Sequence, residues 1–319
     1  MIHTGKVNGW ESVTLSSSEV EATLLPAKGG DIYSLVDKVT GVDVLMKSPT
    51  GLLEPMTRLE DEPVEFLQNY EGGWQTLFPS AGDECVYRGR TIPFHGEVAL
   101  RSWQWEPIEG AVRMQVQCET VPFELTRVVS VDTNELRVAD SIRNVSDEGC
   151  DFVLGHHFVF GAPFLHPEGT LDVDATTVVT ADDYWEDTAR ICAGQTGEWP
   201  IAPGRDGNTI DLRRVESPAV GSHDDLFVTD LRQGTASVSN PELGLTVYLD
   251  WDLEVFKWIA IWQAFGGAKT GSLAGTYALG VEPWTSRTCL TQAAATGTAL
   301  RLDGGDRFET SIAVRFERH

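Results

Sequence analysis

A chain of 319 residues, 41% hydrophobic and 23% charged, has the make-up of a globular protein able to bury a large core. Its formal net charge of −24, from 24 basic and 48 acidic residues, excludes the broad basic surface that nucleic acids and anionic membranes require. Five scattered cysteines without a CxxC pair (Cys85, Cys118, Cys150, Cys192, Cys289), an opening Met1-Ile2-His3 without basic or apolar leader character, and no apolar run of roughly 18 residues lead us to expect a cytoplasmic protein with reduced thiols.

In chain order, the dominant period is two. The stretch 20–47, VEATLLPAKGGDIYSLVDKVTGVDVLMK, predicts at least two strands separated by Lys28-Gly29-Gly30 and Thr40-Gly41. Residues 48–70 predict one or two short helical turns, broken at Pro55 and Pro63. Further on, Val112, Met114, Val116 and Cys118 alternate with polar residues, as in a half-buried strand. Two β-rich runs flank Asp132-Thr133-Asn134 and read as a hairpin. Residues 194–222, rich in Gly, Pro and Asp, read as a long loop excursion. Near the end, Phe308, Ile312, Val314 and Phe316 predict another strand. With 31 glycines, 15 prolines and no long helical stripe, the expectation is all-β: one large antiparallel β-sandwich spanning 1–319, carrying its functional residues on a concave face.

Four stretches interrupt the strand rhythm with mixed polar and aromatic residues. The first, 72–98, holds Trp74, Gln75, Asp83, Arg88, Arg90, His95 and Glu97. The others are LGHHFVFGAPFL with His156 and His157, SHDDLFV with Asp224 and Asp225, and GVEPWTS with Glu282. Adjacent residues of a strand point to opposite faces, so at most one of His156 and His157 faces a given site. Arg88-Gly89-Arg90 reads as a solvated hairpin tip, and the two aspartates as turn caps when taken alone. His95 and Glu97 with the histidine pair offer nitrogen and oxygen metal ligands, but HExxH and CxxC spacings are missing and no metal or other cofactor is expected. GxSxG elbows and phosphate-cradling loops are also missing. What remains is a carboxylate and an imidazole, suited to general acid–base work, with Trp74 and Trp284 able to present a ring face to a sugar. Glu282, set among Val281, Pro283 and Trp284, is expected to be partly desolvated and so a stronger base than a solvated glutamate.

The order of these motifs resembles the galactose mutarotase-like superfamily, and within it the aldose 1-epimerase-related proteins. The resemblance runs from LLPAKGGDIYSLVDKVTGVDVL through FHGEV, GHHFVFGAPFL and HDDLF to GVEPWTS. It implies a β-supersandwich that binds a free sugar and interconverts its anomers without a cofactor. Glu282 would take the anomeric proton and His157 would protonate the ring oxygen, with His156 as the fallback acid. His95 would correspond to the second family histidine and Asp224 to the aspartate holding sugar hydroxyls, with Asp225 close behind. Galactose-specific members carry an Asn-Arg pair where this chain has FPSAGD, so Asp83 or Arg88 would stand in for the missing arginine. Arg88 and Arg90 leave an anionic sugar open. The expected partner is a small-molecule sugar, with no nucleic acid and no membrane, for a monomer or homodimer. Two other classes remain: a glycoside-cleaving enzyme using Glu282 with Asp224 or Glu97, and a non-catalytic sugar-binding protein.

Overall fold

A computed structural model of the chain describes every residue except Thr270. Two antiparallel sheets dominate it. The larger has 12 strands, in the order Ile2–Val7, Trp10–Ser16, Val20–Leu25, Asp31–Asp37, Trp74–Leu77, Gly155–Gly161, Tyr277–Trp284, Trp258–Phe265, Ser222–Thr229, Thr177–Thr180 and Thr196–Glu198, with Val42–Asp43 attached to Asp31–Asp37. The smaller has 8 strands, running from Thr170–Val173 through Thr235–Asn240, Leu245–Trp251, Arg307–Arg318, Glu135–Asn144, Phe123–Asp132 and Ala111–Gln117 to Gln104–Ile108.

The smaller sheet follows from simple alternation. Val112, Met114 and Val116 point inward from Ala111–Gln117 while Arg113 and Gln117 are exposed. The hairpin expected at Asp132-Thr133-Asn134 joins Phe123–Asp132 to Glu135–Asn144, with Asp132 opposite Glu135. Between the sheets, Phe78, Phe123 and Phe152 pack edge-on or tilted with ring centroids 5.4 to 5.7 Å apart, favoured ring geometries for aromatic pairs.

The central strands of the larger sheet obey a different rule. Gly155–Gly161, Trp258–Phe265 and Tyr277–Trp284 are buried along almost their whole length. One face packs on the smaller sheet and the other is roofed by connecting segments, so polar alternation gives way to near-continuous burial. Residues 48–70 form part of that roof and hold a single 3₁₀ turn, Glu65–Asn69. Within 194–222 the chain forms short ribbons, Thr196–Glu198 against Thr177–Thr180 and Ile201–Pro203 against Thr209–Asp211. One element went unforeseen, the α-helix Leu290–Thr296, which ends on Gly297 at φ 73° in a left-handed cap that glycine adopts without strain.

Candidate active site

Strand register builds the site. His157 lies opposite Gln75, while the pairs Gly155–Trp284 and Val159–Gly280 bracket it and bring Glu282 alongside on the neighbouring strand. Glu282 pairs in turn with Ala260, and Ala260 with Phe227. A row therefore crosses five strands on one face: Phe227, Ala260, Glu282, His157, Gln75. The next row along carries Asp225, Trp262, Gly280 and Val159. Small residues on these strands keep the floor low. A Cβ on Gly280 would sit 2.6 Å from Glu282 Oε1 and 3.0 Å from Trp262 Cβ, and one on Gly155 would meet the Trp284 ring at 2.9 Å.

His157 Nε2 lies 3.6 Å from Glu282 Oε1, both side chains almost wholly shielded from solvent. Trp284 Nε1–H donates to Glu282 Oε2 at 3.2 Å and orients the carboxyl. His95 stands beside them, its ring centroid 5.4 Å from that of His157 and 5.8 Å from Trp284. Its backbone sits at φ 63°, a conformation that is uncommon for a residue with a Cβ and is found at functional sites. Gly82 N–H donates to His95 Nδ1 at 3.1 Å, so the His95 proton resides on Nε2. Across Trp262, the indole N–H donates to His223 Nε2 at 2.7 Å. His223 Nδ1 then carries the proton, and it, Tyr70 Oη and His157 Nδ1 are all without a hydrogen-bond partner. Asp225 Oδ2 is 3.6 Å from His223 Nε2, but that nitrogen is already an acceptor and offers it no hydrogen.

These groups line a cavity of about 180 Å³, roofed by Phe66, Leu67 and Tyr70 on one side and by Phe94 and the half-exposed Trp185 at its mouth. Burial governs its proton affinities. Desolvation raises Glu282 well above the usual carboxylate range; the Trp284 hydrogen bond works against this and the nearby Asp225 charge adds to it. Asp225 is pushed up to about 7 by burial and then by the Asp224 charge. His157 falls to about 3 and His223 to about 4, both through desolvation, and His95 falls well below the ordinary imidazole value through burial and its neighbour His157. The ligand-free cavity thus holds neutral imidazoles, and a Glu282 whose proton affinity exceeds that of the histidine beside it.

The residues singled out from sequence divide between two faces. Glu282, His157, His95, Asp83 and Trp284 line the cavity. His156 points into the core, where its Nδ1 accepts from Trp74 Nε1 at 3.1 Å and its Nε2 lies 3.4 Å from Asp140. Trp74 is spent on that contact and fully buried, so the expectation that it presents a face to a sugar does not hold. Asp224, expected to bind hydroxyls, lies on the opposite face from the cavity and accepts from Arg190 N–H, Arg190 Nε and Ile191 N–H at 2.6 to 3.1 Å. Its neighbour Asp225 takes the cavity position. Gln75 shares the His157 face but borders a separate space of about 90 Å³ beside Lys28, donating to Gly72 O. Arg88 stays on its hairpin tip, reaching Gly149 O, and with Arg90 lies outside the cavity. The Glu97 carboxylate binds Arg101, Glu119 N–H and Thr120 N–H, turned away from any ligand set with His95. Sequence reasoning passed over His223, Tyr70, Phe66, Trp185 and Trp262. The first could have been recovered from SHDDLFV, because it shares strand parity with Asp225.

A family model described as a domain of unknown function, DUF4432, matches residues 7–315. The chain belongs to that family. A search of curated protein sequences finds no match. Among solved structures it is similar to the Slr1438 protein of Synechocystis sp. PCC 6803, at 18% identity over 99% of this chain and 100% of the other, with a TM-score of 0.70. A galactose mutarotase related enzyme from Lactobacillus acidophilus matches at 17% identity, 96% and 97% coverage, and a TM-score of 0.66. A galactose mutarotase-like protein from Clostridium acetobutylicum matches at 16% identity, 100% and 99% coverage, and 0.65. These likenesses establish a galactose mutarotase-like fold for this member of the DUF4432 family.

Proposed function

We infer that this chain is an aldose 1-epimerase, interconverting the anomers of a free sugar by opening and reclosing its ring. The observation that carries the reading is the His157–Glu282 pair: a carboxyl and an imidazole, 3.6 Å apart, on one face of adjoining strands in a cavity walled by tryptophans. Anomer exchange needs a base to take the proton of the anomeric hydroxyl and an acid to give one to the ring oxygen. Burial favours a neutral imidazole and a protonated carboxyl, so the pair carries one transferable proton. In the ligand-free cavity that proton rests on Glu282. With a sugar bound, its move to His157 leaves Glu282 as base and His157 as acid. The open-chain aldehyde then rotates about its C1–C2 bond, and closure in reverse returns the proton. His95 Nε2–H and Tyr70 Oη are placed to hydrogen-bond sugar hydroxyls, and the Trp284 and Trp262 rings to cover its C–H faces.

Anomer exchange followed by NMR across a panel of free aldoses tests the reading. Wild type speeds exchange of at least one sugar above the buffer rate, and Glu282→Gln removes the effect. No acceleration for any free sugar overturns it. A second reading has one observation in its favour: Asp225 places a second carboxyl in the same cavity, as glycoside cleavage requires. Release of the aglycone from an aryl glycoside, without anomer exchange, is the outcome that would select it.

A further inference from the structure

The cavity holds more carboxylate than anomer exchange uses. Glu282 and Asp225 both line it, Asp83 stands at its edge, and none of its described lining residues is a lysine or arginine. Arg190, which reaches this strand at Asp224, is committed to that carboxylate on the opposite face. The Asp225 carboxyl receives no hydrogen from His223, since the nitrogen nearest to it is the acceptor for Trp262. Burial raises the proton affinity of both cavity carboxyls, the Asp225 charge adding to that of Glu282 and the Asp224 charge to that of Asp225, and an ionised carboxyl without a partner is costly to bury. A carboxamide at position 225 would accept a sugar hydroxyl without that penalty. The surplus charge makes physical sense if the ligand carries the missing cation.

Resting on the epimerase reading above, we propose that the substrate is an amino sugar whose ammonium pairs with Asp225 and lies against the Trp262 ring. The ring face supplies cation–π attraction to an ammonium, and the net charge of −24 draws cations toward the protein and repels anions. The rows of the sheet say where the amine sits. Asp225 and Glu282 are on strands two apart, with the Trp258–Phe265 strand between them, and in successive rows. At about 4.8 Å per strand the lateral offset of their backbones is about 10 Å. The amine is therefore on the sugar's distal part, away from the anomeric carbon, and sugars bearing phosphate, sulfonate or carboxylate are rejected.

The test compares exchange rates at pH 7 for glucose, its 2-amino-2-deoxy, 3-amino-3-deoxy and 6-amino-6-deoxy analogues, and glucose 6-phosphate. With wild type, kcat/KM for the 3-amino or 6-amino sugar exceeds that for glucose at least tenfold, and the phosphate is the poorest. Asp225→Asn, and Asp225→Ser as a second variant, bring that ratio to about one while melting shows both folded. Glucose exchanged as fast as every amino sugar overturns the inference and leaves the epimerase reading standing. If no sugar exchanges, the epimerase reading falls, and calorimetric titration of the same amino sugars decides this one. Binding weakened at least tenfold by Asp225→Asn upholds it, and no binding to wild type overturns it.

Discussion

The two faces of the larger sheet carry the same residue types to different ends. On the core face, His156 Nδ1 accepts from Trp74 and its Nε2 lies 3.4 Å from Asp140, while the Asp224 carboxylate is saturated by three N–H donors from Arg190 and Ile191. On the cavity face, one residue further along the same strands, His157 and Asp225 both line the cavity, His157 with its Nδ1 unpaired. Asp140 is itself locked to Arg127 through two hydrogen bonds of 2.7 and 2.8 Å, so His156 belongs to a buried tie between the sheets. A structural polar group in a protein interior is satisfied by the fold. A group left wanting, in a cavity of ligand size, is one the fold reserves for a ligand.

The contrast can be broken most forcefully at Glu282. Because burial favours its neutral form, glutamine is a near-isosteric replacement. Glu282→Gln should lower anomer exchange about 10³-fold and leave the melting temperature unchanged or slightly raised. The mirror experiment is Asp224→Asn, which strands the Arg190 guanidinium and turns an amide N–H₂ toward backbone donors. It should cost about 3 kcal/mol of stability by denaturant titration, with activity per folded molecule reduced far less than by Glu282→Gln.

A finer probe is pH. The folded-state value of Asp225, about 7, lies above the unfolded value near 3.9. Its contribution to stability is therefore fully present below about pH 4 and is lost as pH rises toward 7. Asp225→Asn lacks this dependence. Relative to wild type, the variant should gain on the order of 1–2 kcal/mol between pH 4.5 and 7.5, allowing for the part of the carboxyl that faces the open cavity. The smallest effect concerns shape: Gly280→Ala pushes the Glu282 carboxyl out of line with His157. It should slow exchange about tenfold and destabilise by about 1 kcal/mol.

Much of the architecture was legible because period-two alternation is a local property. Val112, Met114 and Val116 declare a half-buried strand in a window of seven residues. The site was legible in its residue types and less so in its geometry, because register is not local. HH and DD each present both parities, and only the pairing partners decide which member faces Glu282. For the histidines the motif order pointed to His157, which lies in the cavity; for the aspartates it pointed to Asp224, one residue from the cavity position. The roof was least visible. Phe66, Tyr70 and Trp185 come from segments without a regular pattern and meet the cavity only once the chain has closed over it.

The most direct test sets the two faces side by side on one strand, measuring anomer exchange and thermal melting for His157→Gln and His156→Leu. The first should lose about 10²-fold or more in exchange with its melting temperature held. The second orphans the Trp74 N–H and removes the imidazole beside Asp140 and should lose about 2 kcal/mol of stability, yet keep exchange per folded molecule within about threefold. Full exchange in a folded His157→Gln protein, or its abolition in a folded His156→Leu protein, would contradict the assignment of acid–base chemistry to the cavity face.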